Sequence, residues 1–209
     1  MERFVITFAR GFGTGGKEIA SRLAKELGIH CYENRILTVA AQLSGLDEKL
    51  FDEVNEKIRS YGGFSSFLRG LPRSRHYISR NETFVSDDTL FAYQKQIIEN
   101  LADTESCVIV GRCANYILRN YPNVMSVFVH APHEFCMRQA MMRSSMTERE
   151  MEKFIAKTDK YRGEYHKYCT GLDWEESRHY DLCLNSSKLG FEKCKEEILS
   201  YRKIRFGVD

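Results

Sequence analysis

Gly11-Phe12-Gly13-Thr14-Gly15-Gly16-Lys17-Glu18 stands between the β-branched and aromatic run Phe4-Val5-Ile6-Thr7-Phe8 and the stretch Glu18–Leu27. In that second stretch Ile19, Leu23 and Leu27 recur every four residues, which puts them on one face of a helix, and Gly28 closes it. A glycine-rich turn between a strand and a helix suits a phosphate. Backbone N–H groups approach its oxygens with no Cβ in the way, and the helix N-terminus adds about half a positive charge. Read as G-x-x-x-x-G-K, Gly11, Gly16 and Lys17 form a phosphate-binding loop (P-loop), with Lys17 reaching the outer phosphates. Read as G-x-G-x-x-G, Gly11, Gly13 and Gly16 form a dinucleotide-binding turn, and Glu33 stands about where a ribose-binding acid belongs. Lys17 favours the first pattern, because the dinucleotide fingerprint has no use for a lysine directly after its last glycine.

The P-loop pattern ordinarily ends in Ser or Thr, whose hydroxyl binds Mg²⁺, and here the position is Glu18. A carboxylate ~4 Å from a phosphate charge costs roughly 4 kcal/mol per charge pair at an effective dielectric of 20. Glu18 must therefore face a cation or turn away from the nucleotide, and the outward orientation is the expectation.

Outward from this loop, strand-like and helical runs alternate, the pattern of an α/β protein with a mainly parallel sheet. Ile29–Tyr32, Val108–Val110, Val124–Val129 and Asp181–Leu184 supply four further strands, and a last helix is predicted from Phe191 to about Tyr201. Two stretches break the alternation. Between Lys57 and Arg80 lie six basic residues and no acidic one, in a loop-rich segment set between helical pieces predicted at about 47–58 and 82–103. Met146–Arg178 is charged, predicted largely helical up to Tyr168, and inserted between the fourth and fifth strands, where substrate-binding segments and lids are placed.

The remaining 209-residue composition narrows the function classes. A chain of this length buries about 70% of its unfolded surface and is read as one domain. Its 31 basic and 29 acidic residues are nearly balanced, which argues against a whole-surface nucleic-acid binder, and no aromatic stacking pattern accompanies the basic segment. Mean hydropathy is −0.43 and no run reaches the ~18 apolar residues of a membrane helix. With no long apolar run near Met1 and seven cysteines lacking any C-x-x-C pair, the expectation is a cytoplasmic protein with reduced thiols in its core. Oligomeric state is not legible.

Arg112 lies just past the buried run Val108-Ile109-Val110, at the strand edge where open α/β sheets bind ligands, and its fork suits phosphate. Arg138 and Arg143 follow the fourth strand, each readable as a solvated helical arginine. Asp159 and Arg162 are an i,i+3 pair on one helix face, which alone is an ordinary surface ion pair.

Four blocks together, Ile6–Ile19, Leu27–Ile36, Cys107–Ile117 and Tyr180–Asn185, resemble the bacterial cytidylate kinase-like family, relatives of the nucleoside monophosphate kinases. The resemblance implies a three-layer P-loop kinase fold: a five-stranded parallel sheet flanked by helices, an acceptor-binding insertion (about 34–105) and a helical lid (about 144–178). It also implies ATP as donor, Mg²⁺ as cofactor, small molecules as partners and CMP or a related monophosphate as acceptor. By position, Gly11–Lys17 would hold donor phosphates and Arg112 the acceptor phosphate. Asp159 and Arg162 match the family's Asp-x-x-Arg near the acceptor, and Arg35 falls where an arginine meets the monophosphate. Glu33 and Asn115 stand where Asp is expected in this branch, and Glu18 where true cytidylate kinases carry a hydroxyl. The alternatives are a P-loop kinase for another small molecule and a nucleotide-binding regulator without catalysis.

Overall fold

A computed structural model describes residues 3–33 and 87–207. The chain divides into two compact units, Met1–Glu33 with Ile98–Asp209, and Asn34–Ile97. The predicted helix at 47–58 and the basic segment 57–80 lie outside the described residues.

The first unit is built on five parallel strands: β1 (Val5–Arg10), β2 (His30–Tyr32), β3 (Cys107–Val110), β4 (Val124–His130) and β5 (Leu182–Asn185). Their order across the sheet is β2-β3-β1-β4-β5. β1 lies at the centre, with Phe8 level with Val110 on one side and Val127 on the other. Strands buried on both faces read as continuous apolar runs, and β3 and β4 are such runs. All of Cys107–Val110 and Val124–Val129 is buried.

The helices are α1 (Gly16–Leu27), α2 (Asp87–Thr104), α3 (Ala114–Ile117), α4 (His133–Met141), α5 (Glu148–Thr170) and α6 (Ser186–Phe206). Ile19 and Leu23 of α1 and Cys194 and Ile198 of α6 pack on Ile6, Phe8, Val108, Val127 and Val129 from one sheet face. On the opposite face Phe128 packs with Trp174 and Tyr180, while α4 and α5 join through Ala140, Met151 and Ile155, with Phe12 against them.

Boundaries moved where side chains cap or clip the backbone. β5 starts at Leu182, since Asp181 is used as a clip: its carboxylate accepts from Ser126 N and Oγ. α6 starts five residues before the expected Phe191, because Asn185 Oδ1 accepts from Ser187 N; the helix breaks at Gly190 and resumes. A full capping box, Thr147 with Glu150, sets the start of α5, which runs to Thr170, capped by Gly171. All seven cysteines are free thiols. Burial pushes Cys107 up to about 12 and Cys136 to about 11, which keeps them protonated and inert. Cys183 departs from the core expectation and is exposed on β5.

Leu23 is fully buried between α1 and the sheet. Leu23→Ala should cost about 2–5 kcal/mol in urea unfolding, and a loss under ~1 kcal/mol would mean that α1 does not pack on this core.

Candidate functional site

The loop after β1 is shaped by positions no larger residue could occupy. Gly13 and Gly15 have φ of +77° and +78°, a left-handed backbone that side chains rarely adopt. A Cβ on Gly13 would lie 2.5 Å from the Cys136 carbonyl of α4, and one on Gly15 would lie 2.2 Å from the Phe191 ring of α6. Gly15, the N-cap of α1, offers no side chain to the first N–H groups of the helix, of which the Gly16 N–H is taken by Thr14 Oγ1. Thr14 is buried as an internal brace. Its Oγ1 donates to Gly11 O and accepts from Gly16 N, and its carbonyl accepts from Ser186 Oγ at 2.7 Å.

One element distant in sequence, α5, fixes the start of the loop. Both Asp159 oxygens accept from Phe12 N, at 2.8 and 3.0 Å. Arg162 donates to Asp159 Oδ1 at 3.0 Å and to Arg10 O at 3.3 Å. The Asp159–Arg162 pair is thus no mere surface bridge. Burial pushes the Asp159 carboxyl above its ordinary range, opposed by the Arg162 charge and the Phe12 N–H.

Beside this loop the charges are mostly positive. Lys17 is exposed and pairs with Glu33 at the end of β2, whose other oxygen accepts from Arg10 Nη2 at 3.1 Å. Burial, with Arg162 and Arg112 nearby, lowers the Arg10 guanidinium to about 10, though Glu33 raises it. Arg112 follows Gly111 at the end of β3. Arg112 and Cys113 both have positive φ, 58° and 57°. Non-glycine residues hold that conformation at a cost of order 1–3 kcal/mol each, and such strain clusters at functional sites. Four cations, Arg10, Lys17, Arg112 and Arg162, thus share this edge with two carboxylates, Glu33 and Asp159.

Of the residues singled out in the sequence, Gly11–Glu18, Arg112, Asp159 and Arg162 lie in this unit around the loop, and Arg35 lies outside the described residues. Glu18 faces arginines: its carboxylate is engaged by Arg22 and Arg143. The Arg143 hydrogen bond is the largest influence holding it below the usual carboxylate range. Arg10 escaped sequence reading, yet the signal existed. It ends a buried strand at the carboxyl edge, as Arg112 nearly does.

Phosphate groups fit this cradle, but a loop-bound metal does not. Position 18 is taken up by two arginines, Thr14 Oγ1 is buried and already bonded, and no three His, Cys, Asp or Glu among the described residues are grouped to hold a metal ion. A cavity of about 470 Å³ also borders the loop at Gly11, Phe12 and Thr14, with His130, Cys136 and Asp159 in its wall. Among the described residues its lining holds no lysine or arginine, in contrast to the Arg10 and Lys17 side of the loop.

The family model described as the cytidylate kinase-like family matches residues 5–188. No curated protein matches the chain. Among solved structures, an uncharacterized protein from Eubacterium ventriosum is 26% identical with a TM-score of 0.70, the match covering 96% of this chain and 99% of that one. Shikimate kinase from Bacteroides thetaiotaomicron is 12% identical, TM-score 0.52, with 95% and 97% covered. A gluconokinase from Sinorhizobium meliloti 1021 is 12% identical, TM-score 0.52, with 99% and 97% covered. At such identities the two kinases show the fold alone, and that fold is the P-loop kinase fold. No helix among the described residues is long and apolar enough to cross a membrane.

Asp159→Ala would strand the Phe12 N–H and the Arg162 guanidinium. A stability loss of about 1–3 kcal/mol is expected in denaturant unfolding, and an unchanged midpoint would show that Asp159 does not brace the loop.

Proposed function

The chain belongs to the cytidylate kinase-like family, and from that premise we propose that it transfers the terminal phosphoryl group of ATP to a nucleoside monophosphate, CMP first among the candidates. The observation that carries this reading is the excess of cations at the carboxyl edge of β1 and β3: two anionic substrates meeting there would supply the missing negative charge.

In this reading the glycine loop and the start of α1 bind donor phosphates through backbone N–H groups. Lys17 leaves Glu33 for the outer phosphates, to which its long exposed side chain has access. Arg112 and Arg162 take the acceptor phosphate, and Asp159 fixes both the loop and Arg162 so that the two phosphates meet at set positions. No general base is assigned, because a phosphate oxygen of the acceptor is already nucleophilic at neutral pH. Residues 34–105 are assigned to acceptor binding, and 144–178 to a lid that excludes water from the transferring group. Mg²⁺ accompanies ATP as its charge partner in solution, and no residue of the loop is assigned to it.

A second reading, a nucleotide-binding regulator without turnover, draws on Glu18, which removes the loop's metal-binding hydroxyl. A panel of nucleoside monophosphates and small alcohols, with ATP and Mg²⁺ and scored by ADP release, separates the readings. Turnover confined to CMP and close relatives is expected, turnover on an alcohol alone would point to another small-molecule kinase, and ATP binding with no turnover would favour the regulator.

Lys17→Ala should lower kcat by about 10²–10³, the equivalent of 2.7–4 kcal/mol for a charge-stabilising contact at the reacting group, with thermal stability unchanged. Wild-type kcat and ATP affinity in the variant would contradict the P-loop assignment.

A further inference from the structure

Glu18 is the third residue of α1, where a P-loop carries its metal-binding hydroxyl, and two arginines approach its carboxylate from different directions. Arg22 reaches it from one turn further along α1, and Arg143 from the connection between α4 and α5. One carboxylate cannot neutralise two guanidiniums. Arg22 has a second acidic neighbour, Glu192, at 3.6 Å, which leaves Arg143 as the surplus charge. The Arg143 side chain is 63% exposed. Exposed ion pairs hold weakly, so this guanidinium is readily exchanged onto another anion.

The connection it belongs to is lightly packed, with Met142 and Met146 being 72% and 40% exposed. Regular helix resumes only at the Thr147 capping box. Meanwhile the anion expected nearby is set by the glycine loop, in which the N-cap Gly15 offers no side chain to α1 and Thr14 Oγ1 takes up the Gly16 N–H. A phosphate arriving there repels the Glu18 carboxylate and attracts the Arg143 guanidinium, and both effects drive the same exchange.

On the reading of the loop as a donor-phosphate site, we infer that Arg143 is a further phosphate-binding residue and Glu18 its positioning residue. Glu18 keeps the guanidinium beside the start of α1 until the outer phosphates of the nucleotide take it over. An acid at this position then serves an arginine rather than a metal, and the loop's departure from the usual Ser or Thr becomes part of how the α4–α5 connection engages substrate.

The test is calorimetric titration of Mg²⁺-ATP and of AMP into full-length wild type, Arg143→Ala, Arg143→Lys, Glu18→Gln and the Arg143→Ala/Glu18→Gln double variant. Arg143→Ala should weaken ATP binding about tenfold, the loss of one charge-assisted contact, with AMP binding unchanged and Arg143→Lys restoring part of the affinity. Glu18→Gln should tighten ATP binding several-fold, and by less when Arg143 is already alanine, since only phosphate repulsion is then relieved. Melting temperatures should stay within a few degrees of wild type, as the pair is exposed. Wild-type ATP affinity in Arg143→Ala, or an equal Glu18→Gln gain in both backgrounds, would overturn the handover while leaving the loop assignment intact. A wild-type protein that binds no ATP would overturn both.

Discussion

The paired hydrogen bonds from the Phe12 amide to Asp159 are the constraint around which the site is organised. A glycine loop that must present backbone N–H groups has few side chains with which to hold itself. Rigidity has to come from outside, and here the contacts come from three helices: Asp159 from α5, the Cys136 carbonyl from α4, and Ser186 and Phe191 from α6. The tightness of these approaches makes the glycines obligatory. At Gly15 the aromatic face of Phe191 occupies the space any Cβ would need.

Electrostatics follows from the same arrangement. Asp159 anchors Arg162, which in turn donates to the Arg10 carbonyl at the end of β1. Glu33 draws Arg10 and Lys17 together at the end of β2. The carboxylates therefore act as internal braces for cations that the parallel sheet delivers to a single edge. Burying Arg10 among Arg112 and Arg162 is unfavourable in itself, as its lowered pKa of about 10 records.

Sequence reading succeeded where the deciding forces are local. The continuous apolar runs of β3 and β4 can be buried on both faces only in a parallel sheet, and the loop's glycines and lysine state their chemistry in eight residues. It fell short where partners are separated in the chain. Glu18 meets Arg143 across 125 positions, and Phe12 meets Asp159 across 147, so an i,i+3 pair that reads as solvent-exposed proves to be a loop brace. Arg10 stayed hidden for a simpler reason: a charge that ends a buried strand looks like a terminator until the neighbouring strand ends are placed beside it. Helix starts at Ser186 and Glu148 turned on caps by Asn185 and Thr147, small polar residues whose effect depends on backbone geometry.

In the proposed reaction one cationic edge receives both a donor and an acceptor phosphate. Calorimetric titration with a bisubstrate analogue, adenosine and cytidine joined through a polyphosphate bridge, tests it most directly, because such a molecule spans both positions at once. Binding at least about 10²-fold tighter than that of ATP alone is expected for a ligand that mimics the meeting of the two substrates. Affinity no greater than that of ATP would contradict it.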